Sequence, residues 1–140
     1  MDLAVEEGLG ILPWSPLAGG FLTGKFRRGQ EGPEGARRTD FDFPPVDTET
    51  GFDAVEALDE MAQAKGVTIP QLALGWLLQR RGVTSVIIGT KKPEQLTDNL
   101  GATGVSFTDD ELERLDAITA PTPLYPQWMI QRQGRDRQPV

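Results

Sequence analysis

The sequence predicts an α/β chain in which two short parallel strands are joined through helices. Two observations carry this. Leu9–Trp14 and Thr84–Ile88 are short, continuously apolar runs of the kind that form buried parallel strands, the second of them rich in β-branched residues. Between and after them, apolar residues recur at the helical period, and each periodic stretch is closed by Gly or Pro.

Each element has its own justification. Met1–Glu7 has helical composition and ends at Gly8, a natural C-cap. It reads as the tail of a longer helix. Ser15-Pro16 closes the first strand. From Phe26 to Gly51 the apolar period disappears, and four Arg, several acids, Gly29, Gly32, Gly35, Pro33, Pro44 and Pro45 predict a long mobile loop. Phe52, Val55, Leu58 and Met61 then mark a helix that Gly66 stops. Thr68 and Gln71 have the spacing of a capping box that opens the next helix, with Leu72, Ala73, Trp76 and Leu77 on its apolar face and Gly82 as its breaker. Trp76 is expected in the core.

After the second strand, Pro93 suits the first turn of a third helix, which Gly101 ends. Thr108 and Glu111 repeat the capping-box spacing, and Leu112, Leu115 and Ile118 form the stripe of a fourth. No internal repeat is visible. Helices between strands imply a right-handed parallel crossover. Two strands alone cannot form a parallel sheet covered on both faces, so the chain reads as part of something larger.

Composition narrows the function. The 140 residues carry 38% hydrophobic residues, 16 Gly, 11 Pro and a formal net charge of −7. An acidic chain with a pI near 4.6 lacks the basic field of a nucleic-acid surface. No Cys is present, so neither a disulfide framework nor a thiolate zinc site is expected, and a cytoplasmic protein is the natural reading. No run approaches the ~20 apolar residues of a membrane helix, and MDLAVEEGLG has no signal-peptide pattern. Asp98, Asp109, Asp110 and Glu111 fall on first turns or exposed faces of helices, where carboxylates complement the dipole, and no metal is assigned to them.

Two segments carry candidate chemistry. Gly19–Lys25, GGFLTGK, fits the glycine and lysine spacing of a phosphate-binding P-loop, but Phe26 stands where Ser or Thr would hold magnesium, and Ser15-Pro16-Leu17 separates the turn from its strand. A glycine-rich turn with an exposed Lys is the better description. The second segment is Ile88-Gly89-Thr90-Lys91-Lys92-Pro93-Glu94-Gln95. There a strand ends, Gly89 turns the chain and a helix begins, so free N–H groups and the positive end of a helix dipole converge beside Lys91.

Taken together, LGILPWSPLAGGFLTGKF (Leu9–Phe26) and SVIIGTKKPEQLTDN (Ser85–Asn99) resemble the last third of an aldo-keto reductase, in that family's order and spacing. The resemblance covers about Leu3 to Met129. It implies the C-terminal part of a (β/α)8 TIM barrel: the last two strand–helix units plus the C-terminal helix and tail. It places a reductase portion at 1–129 and a disordered tail at 130–140. It implies hydride transfer between a nicotinamide cofactor and an aldehyde or ketone, with NADP(H) as the cofactor. Ser15, Pro16, Leu17 and Gly19 would hold the pyrophosphate. Lys25 and Arg37 would meet the adenosine phosphate, with Arg38 nearly equivalent to Arg37. Gly89, Thr90 and Lys91 would form the second anion site, and Gln95 and Asn99 would reach the adenine and ribose. Trp128 resembles a tail motif of the family.

The family's catalytic Asp, Tyr, Lys and His lie in its first half and match nothing here. His is absent, and the single Tyr, Tyr125, lies in the tail. The resemblance thus implies a cofactor-gripping portion without catalytic residues, whose partners are a nicotinamide dinucleotide and either the missing N-terminal barrel half or another copy. Two other readings remain: a non-catalytic dinucleotide-binding regulatory subunit, and a truncated reading frame with no stable product.

Overall fold

A computed structural model describes residues 2–122, 125, 126 and 129. Among them are six α-helices: α1 (Asp2–Glu6), α2 (Arg37–Asp40), α3 (Thr48–Lys65), α4 (Ile69–Leu78), α5 (Pro93–Leu100) and α6 (Asp109–Thr119). Two 3₁₀ segments, Ala18–Thr23 and Gly101–Gly104, join them. The expected tail at 130–140 and Trp128 lie outside the described residues. No helix among those described is long and apolar enough to cross a membrane.

The helix ends follow the local chemistry closely. Asp47 caps α3, its Oδ1 accepting from Glu49 N at 3.2 Å and Thr50 N at 3.4 Å. The helix therefore begins at Thr48, four residues before the first apolar position, Phe52. Gly66, at φ 67°, ends it in the left-handed conformation that glycine adopts at little cost. Both capping boxes form: Thr68 Oγ1 accepts from Gln71 N and Thr108 Oγ1 from Glu111 N, each at 3.3 Å. The helix opened by Thr68 stops at Leu78, before the Gly82 breaker.

The core is where α3, α4 and α6 meet. Ala57, Leu58, Met61 and Ala62 of α3 pack on Ile69, Leu72 and Ala73 of α4 and on Leu115 of α6. Leu72 has no solvent exposure. Trp76, expected in the core, is half-buried at its margin. Its indole N–H donates to Asp116 Oδ1 at 2.9 Å, and the Arg80 guanidinium lies 4.5 Å from its ring.

The two expected strands are corrected. The segments are parallel neighbours, but they meet only at two isolated bridges, Ile11 with Val83 and Trp14 with Ile87. The reason is local. Between the bridges one segment advances three residues while the other advances four, so the register slips by one and a bulge replaces the ladder. Pro13 also has no N–H to donate, although its carbonyl accepts from Ile87 N at 2.9 Å. Leu12 and Ile87 remain 57% and 55% exposed, where a complete parallel sheet would have covered both faces.

The segment expected as one long loop is also corrected. It contains α2 and the first turn of α3, and it is pinned to the helical layer by several ion pairs described below.

Two outcomes follow from this division. Amides of Leu72 and Leu74 should exchange far more slowly than those of Ile11, Thr84 and Ile87, whose bonds stand alone at an open edge. Hydrogen exchange with equal protection in both sets would contradict this account. Leu72→Ala should cost about 2–5 kcal/mol, read by denaturant titration, because a side chain with no exposed surface leaves a cavity. A loss below ~1 kcal/mol would mean that the site collapses around the gap.

Candidate functional site

The first wall of the site is the turn after Trp14. Ser15 and Ala18 have φ of 51° and 49°, and Gly19 and Gly20 have 66° and 97°. Left-handed residues interspersed in a tight turn gather backbone N–H groups into a concavity suited to anions. The two non-glycine residues carry strain of about 1 kcal/mol each, held by the bond from Ala18 N to Ser15 O at 2.8 Å. Gly19 has a second role: a Cβ there would lie 2.8 Å from the carbonyl oxygen of Phe43. No helix follows Lys25, which a P-loop would require. The fit of GGFLTGK to that motif is therefore a matter of spacing alone.

The second wall runs from Ile88 through Lys92 into α5. The N-cap of α5 is Lys92, which makes no side-chain capping bond. Gln95 Oε1 instead accepts from Lys91 N at 3.0 Å, one turn back. Asn99, at 8% exposure, is the buried polar residue of this helix. Asp98 fastens α5 to α4: its carboxylate accepts from Thr68 Oγ1 at 2.9 Å and from Gln71 Nε2 at 3.0 Å.

The third wall is the segment from Arg27 to α2. Arg27 pairs with Asp59 at 2.8 Å. Arg28 pairs with Asp53 at 2.6 Å, Glu56 at 3.3 Å and Glu49, all on α3. At the other end Arg38, 8% exposed, turns inward. Its Nη1 donates to Pro44 O at 2.9 Å and Ala18 O at 3.1 Å, while Asp42 pairs with Nη2. Arg37 points the other way and is exposed. The two adjacent arginines, nearly interchangeable in sequence, are thus separated into a buried structural cation and an exposed one with no ion pair among the described residues.

These walls enclose one cavity of about 760 Å³. Ser15, Pro16, Leu17 and Gly19 line it from the first wall, with Lys25 beyond them. Gly89, Thr90, Lys91, Gln95 and Asn99 line it from the second, and Arg37 reaches it from the third. Every site residue expected from the sequence therefore faces the same space. Lys92 also lines it, so four cations (Lys25, Arg37, Lys91, Lys92) share the cavity with one carboxylate, Asp98. Trp14, Ile87 and Ile88 add apolar surface to the lining.

Sequence reasoning missed Trp14, Thr23, Pro70 and Lys92 as lining residues, and Arg38 as a structural one. Lys92 had a signal, its place beside Lys91. Arg38 had none, because its burial depends on carbonyls 20 and 6 residues away.

Hydrogen bonding to Arg27, assisted by Gln63, holds the Asp59 carboxyl below the usual carboxylate range despite some burial. A lowered folded-state value means that this tie stabilises fully above the unfolded value of about 4 and is lost as pH falls through the folded one. An NMR titration of the Asp59 carboxyl carbon should therefore find a midpoint below that of a reference peptide, with the 29–36 segment loosening as the group protonates. A midpoint at or above the reference would remove the anchor.

Fold and site together define a helical α/β segment with a cation-lined cavity at the carboxyl ends of two parallel β segments. The chain belongs to the aldo/keto reductase family, whose members generally use a nicotinamide dinucleotide: the family match runs over residues 1–120. It is 36% identical over 123 residues to L-glyceraldehyde 3-phosphate reductase of Escherichia coli O157:H7, covering 83% of this chain and 35% of that protein. It is 38% identical over 127 residues to a putative voltage-gated potassium channel subunit beta of Schizosaccharomyces pombe, covering 84% of this chain and 36% of that protein. The chain thus spans little more than a third of the length of these relatives.

Proposed function

We propose that this chain is the dinucleotide-gripping portion of a carbonyl reductase that uses NADP(H) and acts in the cytoplasm on an aldehyde or ketone. The observation that carries the reading is the convergence of Ser15, Gly19, Lys25, Arg37, Lys91 and Asn99 on one cavity. Its dimensions and charge fit the group. A volume near 760 Å³ is in the range of pockets for large organic ligands, and four cations complement a pyrophosphate and one further phosphate. The Ser15–Gly20 turn would receive the pyrophosphate, Lys25 and Arg37 the adenosine phosphate, and Gln95 and Asn99 the adenine end. Gln95 would have to exchange its bond with Lys91 N for one with the ligand. The nicotinamide, when bound, supplies the hydride.

No residue of this chain is assigned the proton-transfer step, and residues 1–129 act as the reductase portion. The exposed apolar side chains of Leu12 and Ile87 support the amino-terminal barrel half as the partner that completes the sheet. The Schizosaccharomyces pombe relative, named as a channel subunit, favours a second reading in which the grip serves a non-catalytic subunit.

The test compares NADPH and NADH by fluorescence titration, with this chain alone and joined to the amino-terminal part of the Escherichia coli relative that it does not match. Lys25→Ala and Arg37→Ala should each weaken NADPH about ten-fold or more, since a charge-assisted contact contributes about 1.5–3 kcal/mol. NADH should change little. Equal loss for both dinucleotides, or no loss, would refute the phosphate-reading roles.

A further inference from the structure

Phe26 stands where a P-loop would carry Ser or Thr. It is half-buried and lies outside the cavity lining, yet its ring sits beneath a cation that does line the cavity, Lys25.

The ring is fixed from two directions. It stacks on the ring of Phe21, with centroids 5.9 Å apart and planes 3° from parallel. Phe21 is 3% exposed, and its own ring lies 5.1 Å from that of Phe52 on α3, so the row is rooted in the helical layer. The returning chain also closes on Phe26: a Cβ at Gly32 would lie 2.6 Å from Phe26 Cε1. The backbone just beyond is tied down as well, Arg27 to Asp59 and Arg28 to Asp53 and Glu56.

Lys25 is placed by this ring. Its Nζ lies over the ring, 5.7 Å from the centroid. The same ammonium rests against the glycine turn, where a Cβ at Gly20 would come 3.2 Å from Nζ and 3.3 Å from Cε. A cation within about 6 Å of a ring centroid is drawn to the ring face. A lysine on its flexible four-carbon stem otherwise loses rotamer freedom when it meets a ligand. One already held at the cavity loses less, and preorganisation of this kind raises affinity.

We propose that Phe26 is a positioning residue: its ring, fixed by Phe21 and Gly32, holds the Lys25 ammonium over the Ser15–Gly20 turn, where a cofactor phosphate meets it. This rests on the dinucleotide reading of the cavity. It adds a residue that acts on the ligand through Lys25, from outside the lining.

The test is a double-mutant cycle on the 140-residue chain, read by NADPH and NADH fluorescence titration. Phe26→Leu keeps apolar bulk against Phe21. It should weaken NADPH about two- to five-fold, the scale of an exposed cation–ring contact, and leave NADH nearly unchanged. Phe26→Tyr should bind as the natural chain does. In a Lys25→Ala background, Phe26→Leu should cost nothing further, because the pair acts as a unit. Gly32→Ala, whose methyl group would displace the ring, should reproduce the Lys25-dependent loss. A second readout needs no cofactor. The Lys25 ε-methylene proton signal should lie upfield of an ordinary exposed lysine's, through the ring current of Phe26, and return towards it in Phe26→Leu. Amide spectra check that each variant is folded.

A Phe26-dependent Lys25 signal in a chain that binds neither dinucleotide would overturn the cofactor reading while the hold on Lys25 stands. A Lys25 signal indifferent to Phe26, equal weakening of NADPH and NADH, or a loss that persists without Lys25 would overturn the positioning role itself. So would NADPH binding that Lys25→Ala weakens and folded Phe26→Leu does not.

Discussion

Arg38 carries a full charge into a region almost closed to water, and the arrangement of the site depends on how that charge is met. A buried guanidinium is tolerated only when its N–H groups find acceptors. Here Ala18 O, Pro44 O and Asp42 meet it, and the face of Phe21 lies 5.4 Å from its central carbon. The partners come from two pieces of chain, Ala18 and Phe21 from one 3₁₀ segment and Asp42 and Pro44 from the stretch after α2. One group therefore fixes the distance between the Ser15–Gly20 turn, the start of α2 and the Phe43–Pro44 segment. Removing one side of such a buried set costs about 3–5 kcal/mol, more than an exposed ion pair contributes.

A second tie works on the other side of the cavity and is made of neutral groups and one carboxylate. Thr68 belongs to the N-terminus of α4 and Asp98 to α5, 30 residues later. The same Thr hydroxyl caps α4 and donates to Asp98, while Gln71 completes the capping box and also holds Asp98. The start of one helix is thus bonded to the flank of another, so α5 cannot move independently of the α3–α4 layer. With α5 held, Gln95, Asn99 and the lysines before Pro93 keep a fixed relation to the glycine turn opposite. The cavity is tied by hydrogen bonds where helices form it and by ion pairs where irregular chain forms it.

That difference in construction suits a large, charged ligand. Surface pairs such as those of Arg28 with α3 contribute little individually and weaken in salt, and many glycines interrupt the strap between Arg28 and Arg37.

Helix boundaries were legible in the sequence because their causes are local. Thr68 with Gln71 and Thr108 with Glu111 lie within one turn, Gly66 ends α3 where glycine alone is at ease, and Pro93 opens α5. That the expected site residues line one cavity has a related reason, since two short motifs that resemble one family hold all of them but Arg37. The tertiary structure decided what depends on distant partners. It separated Arg37 from Arg38, because burial follows from carbonyls elsewhere in the chain. It reduced two apolar runs to isolated bridges, because a ladder needs matching register and donors on both sides, and Pro13 and a one-residue slip deny both. It also stacked Phe43 on Trp14, across 29 positions of sequence that no periodicity connects.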